Sequence, residues 1–484
     1  MSNQSLIQQP RIIPSFIIWV QVLMFAILYA VWALPETILI RHICLIVGAL
    51  LGAYEIYQYR AVLFTKYALP IWLVLGLFAW ASFHLLFLSH DFALQLEEYT
   101  SIWKRTALGA IFALGLGLAL SGQDPKKQSI YWPVFYFGLL APTLIYILKY
   151  CLTHHGSNWG INAPDYLRLH YGSLPFYVPK TAYVCFCLPT LAVALGQLKR
   201  NIGSHIWLSW DNVIYGVTIP AVFFVFYGEN IKNGVIYGAF LMLVFSTQVF
   251  LVDFKKHWIQ KTLLAAILLI AGAGFIVNHI QKNTSWQTFA VDAKIAIDTD
   301  RYDHWKFNGA KGYPNNEFGA MVSITNYERI AWGKEGLLLL TQNPLGFGLI
   351  ERSFGHLAKK VWPESLLHQS HSGWLDLALG IGIPGIALVL GSLALAMKQL
   401  YRLDLPENIP KSALNGAQSP FKAPWLSCCW WILLASLVMW CTTEISQKVF
   451  LDSLIFWVAL ASSLAAGTRF RRLNLSHLRV GGRN

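Results

Sequence analysis

Residues 377–397 read LALGIGIPGIALVLGSLALAM, a run of apolar and small side chains without one charge. A helix needs roughly 20 such residues to cross the hydrocarbon core of a bilayer. In water the same run would leave an apolar surface that a soluble fold must bury. The run is flanked unequally. His368, Ser370, His371 and Ser372 precede it, whereas Lys398 and Arg402 follow it.

The pattern recurs along the chain. Candidate spans fall at about 13–33, 37–57, 67–90, 106–121, 129–149, 181–197, 211–228, 232–252, 262–280, 372–397, 424–442 and 446–467. The expected fold is therefore an all-α polytopic membrane protein with about 12 transmembrane helices. Composition agrees: 56% of the residues are hydrophobic and only 13% charged, the latter about half of ordinary usage. The 20 Trp residues suit side chains that anchor at a membrane interface. The first apolar stretch, 13–33, is too long for a signal-peptide core and reads as a retained helix.

Loop charge orients the spans. Arg60 and Lys66, Lys126 and Lys127, Lys199 and Arg200, Lys255, Lys256 and Lys261, and Lys398, Arg402, Lys411 and Lys422 all fall on one side of a 12-span chain. Arg11 and the tail at 468–484, with Arg469, Arg471, Arg472, Arg479 and Arg483, fall there too. Short loops rich in Lys and Arg stay in the cytoplasm, so both termini are expected to be cytoplasmic. The net charge of +13 is thus accounted for without nucleic acid.

The chain divides into helices 1–9 over residues 1–280, a large extracytoplasmic loop over 281–371, helices 10–12 over 372–467, and the basic tail. The opposite side from the termini also holds residues 91–105, an acidic-then-basic segment, and a basic loop near 150–180 with Arg168, His170 and Lys180. A loop as long as 281–371 is uncommon unless it has structure or function of its own. One helix is legible in it, starting near Thr325 or Asn326 and stopping at Asn343-Pro344.

Several residues are able to carry chemistry. His371 sits where the loop enters the tenth span, with Ser370 or Ser372 as a cap. The positive end of a helix dipole favours neutral imidazole, which accepts a proton; the bland alternative is an interfacial His with one hydrogen bond. Arg329 has the planar fork that holds phosphate, and it shares a helix face with Trp332. Taken alone it also reads as a solvated surface charge. Lys232, with Glu229 close by in sequence, starts the eighth span and ordinarily snorkels there; it is equally placed to meet a lipid-linked phosphate. Arg168 and Lys180 read first as headgroup contacts. No Cys, His or acidic spacing matches a metal site, and no nucleotide-phosphate loop occurs.

Together, RIAW followed by QNPLGFG (329–348), HSGWLDLALGIGIPG (371–385) and KNG (232–234) resemble the O-antigen ligase superfamily, which includes O-antigen polymerases and protein O-oligosaccharyltransferases. The resemblance implies a GT-C-like fold and an inverting, metal-independent glycosyltransferase without cofactors, in a bacterial inner membrane with its active site facing the periplasm. The donor would be a glycan on undecaprenyl diphosphate and the acceptor lipid A-core. His371 would act on the acceptor hydroxyl or the diphosphate. Arg329 and Lys232 would hold the diphosphate, helped by Arg168 and Lys180. His368, Trp332 and Asp376 would support them. Lys at 232 departs from the family's usual Arg, keeping the charge without the fork. A ligase fits the helix entry best; a polymerase or a protein O-oligosaccharyltransferase shares the donor. A transporter of lipid-linked glycans is the other class, but it favours repeated halves and charges at the midplane.

Overall fold

The structure is a computed structural model that describes residues 13–170, 175–204, 206–251, 286–404, 424–445 and 448–481, with scattered positions between 258 and 281. The span expected at 262–280 lies for the most part outside the described residues, as do Arg11, Lys255, Lys256, Lys261, Lys411, Lys422 and Arg483.

Nine helices among the described residues are long and apolar enough to cross a membrane. They are α2 (Ile38–Gln58), α3 (Lys66–Leu88), α4 (Phe92–Gly122), α5 (Pro125–His155), α6 (Lys180–Gly203), α7 (Trp210–Gly228), α8 (Lys232–Phe250), α12 (Gly373–Leu403) and α14 (Val449–Asn474). Two shorter apolar helices, α1 (Ser15–Val31) and α13 (Pro424–Met439), take the places of the expected first and eleventh spans. Between α8 and α12 lie α9 (Phe289–Ile297), α10 (Ile324–Gln342) and α11 (Ser353–Val361). No strand occurs among the described residues beyond one isolated bridge, Asn315 with Met321. Helices satisfy their backbone groups internally, which is what lipid demands.

The segment 91–105 is helical rather than a loop, and α4 runs through it with a π turn at Tyr99–Trp103. Asp91 caps this helix by accepting from Leu94 N at 3.1 Å. Its acid Glu98 turns inward and accepts from Ile350 N and, at 3.0 Å, from Glu351 N. The donors on the neighbouring loop keep a charged segment helical next to an apolar bundle.

α6 and α14 are almost wholly buried, and α14 lies along α4. Small residues allow this approach and that of α2 to α4. A Cβ on Gly115 would come within 2.2 Å of Gly52 Cα, and one on Gly117 within 2.1 Å of Ser463 Oγ. Trp usage departs from the interfacial expectation. Trp32, Trp425, Trp431, Trp440 and Trp457 are fully buried between helices. Trp457 packs edge-on against Phe25, Trp32 against Phe456 and Trp425 against Phe135. Trp425 Nε1 donates to Gln128 O. Large rings fill gaps between helices, and the Trp425 N–H also finds a carbonyl.

Residues 286–372 build a second core of Trp305, Tyr327, Trp332, Leu339, Phe347, Phe354, Leu357 and Leu367. It is completed by Leu375 and Leu379 of α12, so the loop is fused to that helix. Asp292 is its polar hub, accepting from Thr288 Oγ1, Asn316 Nδ2, Ser323 N and Asn326 Nδ2. α10 begins at Ile324, after Ser323, and Thr325 and Asn326 lie in its first turn.

α12 is broken. Gly382 has φ 72° and ψ 178°, and Pro384 follows. The carbonyls freed by the break are met by other parts of the chain: Phe347 N donates to Leu379 O at 2.8 Å, Gly348 N to Gly380 O at 2.7 Å, and Trp80 Nε1 to Ile381 O at 2.6 Å. Ile383 N donates back to Pro344 O at 2.8 Å. The QNPLGFG segment thus docks into the gap in LGIGIPG. Irregular backbone beside an apolar bundle persists only when such partners exist.

Candidate functional site

The site forms where three helix entries meet on the face that carries residues 286–372. α10 brings Arg329 and Trp332 on one side of the helix. Arg329 Nη1 donates to Asn233 Oδ1 at 2.9 Å. Asn233, in the first turn of α8, donates through Nδ2 to Thr442 O at 3.1 Å. Tyr237, one turn further, hydrogen-bonds to the Thr442 hydroxyl and lies 3.4 Å from that of Thr443. Lys232, the first residue of α8, lies within electrostatic range of Arg329. Like charges this close repel, and an anion bound by both relieves the repulsion.

His371 precedes α12 in a turn of its own. Ser372 is the cap: its carbonyl accepts from Asp376 N at 2.8 Å. Asp376 is buried beneath the turn and accepts from Ser370 N at 2.8 Å. Ser372 N donates to Ser370 Oγ at 3.3 Å. This closed turn holds His371 at φ 57°, a left-handed conformation uncommon for a residue with a side chain. Strained backbone of this kind gathers at functional sites.

The imidazole is fixed on two sides. Its ring stacks on Trp332, with centroids 5.3 Å apart and planes 21° from parallel. Trp332 is itself anchored by Nε1 donating to Trp305 O at 2.9 Å. His371 Nδ1 lies 2.7 Å from Glu444 Oε2, and Gln369 Nε2 donates to the same oxygen. A carboxylate on Nδ1 selects the tautomer with Nδ1–H, leaving Nε2 as the basic nitrogen. The His371 side chain stays 35% exposed, so the ring is not sealed from solvent.

The electrostatics tie the halves together. Glu444 and Glu328 both lie within range of Arg329. Glu328 also senses His371. Burial raises the Glu328 carboxyl above its ordinary range, opposed by a hydrogen bond from Tyr313 and by the charges of His371 and Arg329. Among the described residues, no group of three or more His, Cys, Asp and Glu side chains is arranged to hold a metal ion.

The other expected residues have partners of their own. Arg168 is half-buried and bonded within its own loop, Nη2 to Asn162 Oδ1 at 2.9 Å. Lys180, exposed at the start of α6, lies within electrostatic range of Glu229, which also takes a bond from Tyr146. His368 is exposed, and its carbonyl accepts from Gly355 N at 3.2 Å. Sequence reasoning passed over Glu444, Tyr237 and Glu328, and met Asn233 only as part of KNG. Glu444 did carry a signal, as the lone acid between Pro424 and Leu451.

No protein-family model and no curated protein matches the chain.

Proposed function

We propose that this chain is an inverting glycosyltransferase of the O-antigen ligase type, moving a glycan from undecaprenyl diphosphate to a sugar hydroxyl of lipid A-core at the periplasmic face of a bacterial inner membrane. The observation that carries the reading is a base and two cations at one place: His371 Nδ1 2.7 Å from Glu444 Oε2, with Arg329 and Lys232 around the same entry.

In this reading the acceptor hydroxyl oxygen attacks the anomeric carbon of the donor. Its proton passes to His371 Nε2. The bond from the anomeric carbon to the diphosphate oxygen breaks on the opposite face, and its electron pair leaves with the diphosphate. Arg329 and Lys232 meet the charge that develops there, and fixed charges of this kind usually do most to lower such a barrier. Diphosphate leaves readily, so the chemistry needs a base and positioning more than an acid. Glu444 holds the imidazole tautomer and stabilises the imidazolium as it forms. The cluster sits at helix entries rather than at mid-span, which favours chemistry at the surface over passage through the membrane.

The test is lipopolysaccharide from cells carrying His371→Ala or Glu444→Gln, run on a gel with membrane levels of the protein matched. General-base catalysis is worth roughly 10²–10⁴-fold, so His371→Ala is expected to abolish long chains on lipid A-core while undecaprenyl-linked polymer accumulates. Glu444→Gln is expected to lower the rate in the same direction by a smaller factor. Core carrying a single repeat would identify a polymerase instead. Unchanged lipopolysaccharide at normal protein level would remove His371 from this pathway and leave protein glycosylation or transport.

A further inference from the structure

Arg329 is held by a neutral group. Among the described residues its hydrogen bond goes to the amide of Asn233, Nη1 to Oδ1 at 2.9 Å, and no ion pair holds it. Two carboxylates lie within electrostatic range, but both are engaged elsewhere. Glu444 meets His371 Nδ1 at 2.7 Å and takes a bond from Gln369. Glu328 takes a bond from Tyr313. A guanidinium has five N–H donors, so most of the Arg329 fork remains for a ligand. No carboxylate in contact cancels its charge.

The Asn233 amide fits only one way round. A guanidinium only donates and a carbonyl only accepts, so Oδ1 faces Arg329 while Nδ2 faces Thr442 O at 3.1 Å. The entry to α8 places this amide. Ile231 N donates to Phe226 O at 2.8 Å, and a Cβ on Gly234 would come within 2.8 Å of the Phe226 ring, so α8 starts pressed against α7. Thr442 is fixed from other sides. Its hydroxyl bonds to Tyr237, and Gly373 N donates to the next carbonyl, Thr443 O, at 2.8 Å. Glu444 follows directly in the chain. Asn233 thus joins the cation on α10 to the segment that carries the partner of His371.

An acid at 233 would grip the same fork but neutralise it. A neutral acceptor orients the cation and leaves its charge for an anion. We propose that Asn233 is a positioning residue: it aims the Arg329 guanidinium, with its charge intact, at the diphosphate of a prenyl-linked donor, and through Thr442 it keeps that cation in register with His371. The inference rests on the glycosyltransferase reading for its class of ligand.

The test uses the full-length protein purified in micelles, with farnesyl diphosphate as the probe and its affinity measured by equilibrium binding. Asn233→Asp keeps the shape of the side chain and cancels the charge of Arg329. Asn233→Ala removes the acceptor, and supplies the same test should the first variant fail to fold. Each is expected to weaken binding by roughly tenfold or more, the worth of a hydrogen bond to a charged group. Arg329→Gln is expected to weaken it at least as much. Adding either change at 233 to Arg329→Gln is expected to alter it little further, since groups that act through one contact do not add. In a transfer assay Asn233→Asp is expected to raise the KM for the donor and leave the KM for the acceptor in place, a split that damage to the fold would not give. A wild-type protein without affinity for the probe overturns the inference. So do variants at 233 that bind as the wild type does, losses that add in full to that of Arg329→Gln, or an equal rise in both KM values. Binding lost at 233 while His371→Ala leaves lipopolysaccharide unchanged would fail the glycosyltransferase reading alone and uphold the role of Asn233 toward the diphosphate.

Discussion

His371 owes its environment to residues far from it in sequence. Glu444 sets its tautomer from the turn before α14, and Trp332 sets its ring plane from α10. Glu328 is the neighbour whose titration can be followed. Its carboxyl is raised above the ordinary 4.5 chiefly by burial. The folded chain therefore binds that proton more tightly than the unfolded chain does, and stability falls as pH climbs from the ordinary carboxyl range through the raised value. Glu328→Gln removes this dependence. Melting of the purified variant followed from acid to neutral pH is expected to show a flatter decline than the wild type. Superimposable curves would mean that Tyr313 and the nearby cations fully offset the desolvation of the carboxylate.

At the scale of the element, the broken helix α12 and the QNPLGFG segment depend on glycines that leave no room for a side chain. A Cβ on Gly382 would come within 2.4 Å of Leu345 C and O, at φ 72°. Gly333, inside α10, meets nothing within 4 Å. Gly382→Ala is expected to cost about 1–3 kcal/mol or more through strain at a left-handed position, read as a lower melting temperature. Gly333→Ala is expected to be neutral or to stabilise by about 0.5–1 kcal/mol, since it relieves helical glycine entropy. A Gly382→Ala protein as stable as the wild type would show that the break closes into a continuous helix.

At the scale of the molecule, the arrangement of helices predicts which thiol meets solvent. Cys441 is exposed on the same face as His371 and Glu444, whereas Cys44, Cys185, Cys187, Cys428 and Cys429 are buried and Cys151, in the last turns of α5, is half-buried. Partial burial raises the Cys441 thiol above its ordinary value, so its thiolate is scarce at neutral pH and labelling quickens as pH rises. In a Cys151→Ala background, a membrane-impermeant maleimide added outside the sealed membrane is expected to label Cys441, and Cys441→Ala is expected to remove the signal. Labelling only after the membrane is opened would turn the whole chain over and put the site on the inner side.

Much of this fold was legible along the chain, because a lipid-crossing helix declares itself locally: length, apolarity and flanking charge suffice without knowledge of neighbours. The expected span positions, the helix ending at Asn343 and the pairing of Arg329 with Trp332 on one face all rest on such local rules. Four features depended on contacts between distant segments. The charged segment 91–105 became helix because Glu98 found backbone donors at 350 and 351. The tryptophans went inside because rings on other helices received them, and for Trp425 a carbonyl as well. α12 broke because residues 344–348 and Trp80 took up its free groups. The partners of His371 and Arg329 come from the start of α8 and the turn before α14. Periodicity and composition report what one segment does in its solvent; they carry no distance between residues 233, 329, 371 and 444, and only the packing of the helices brings those four together.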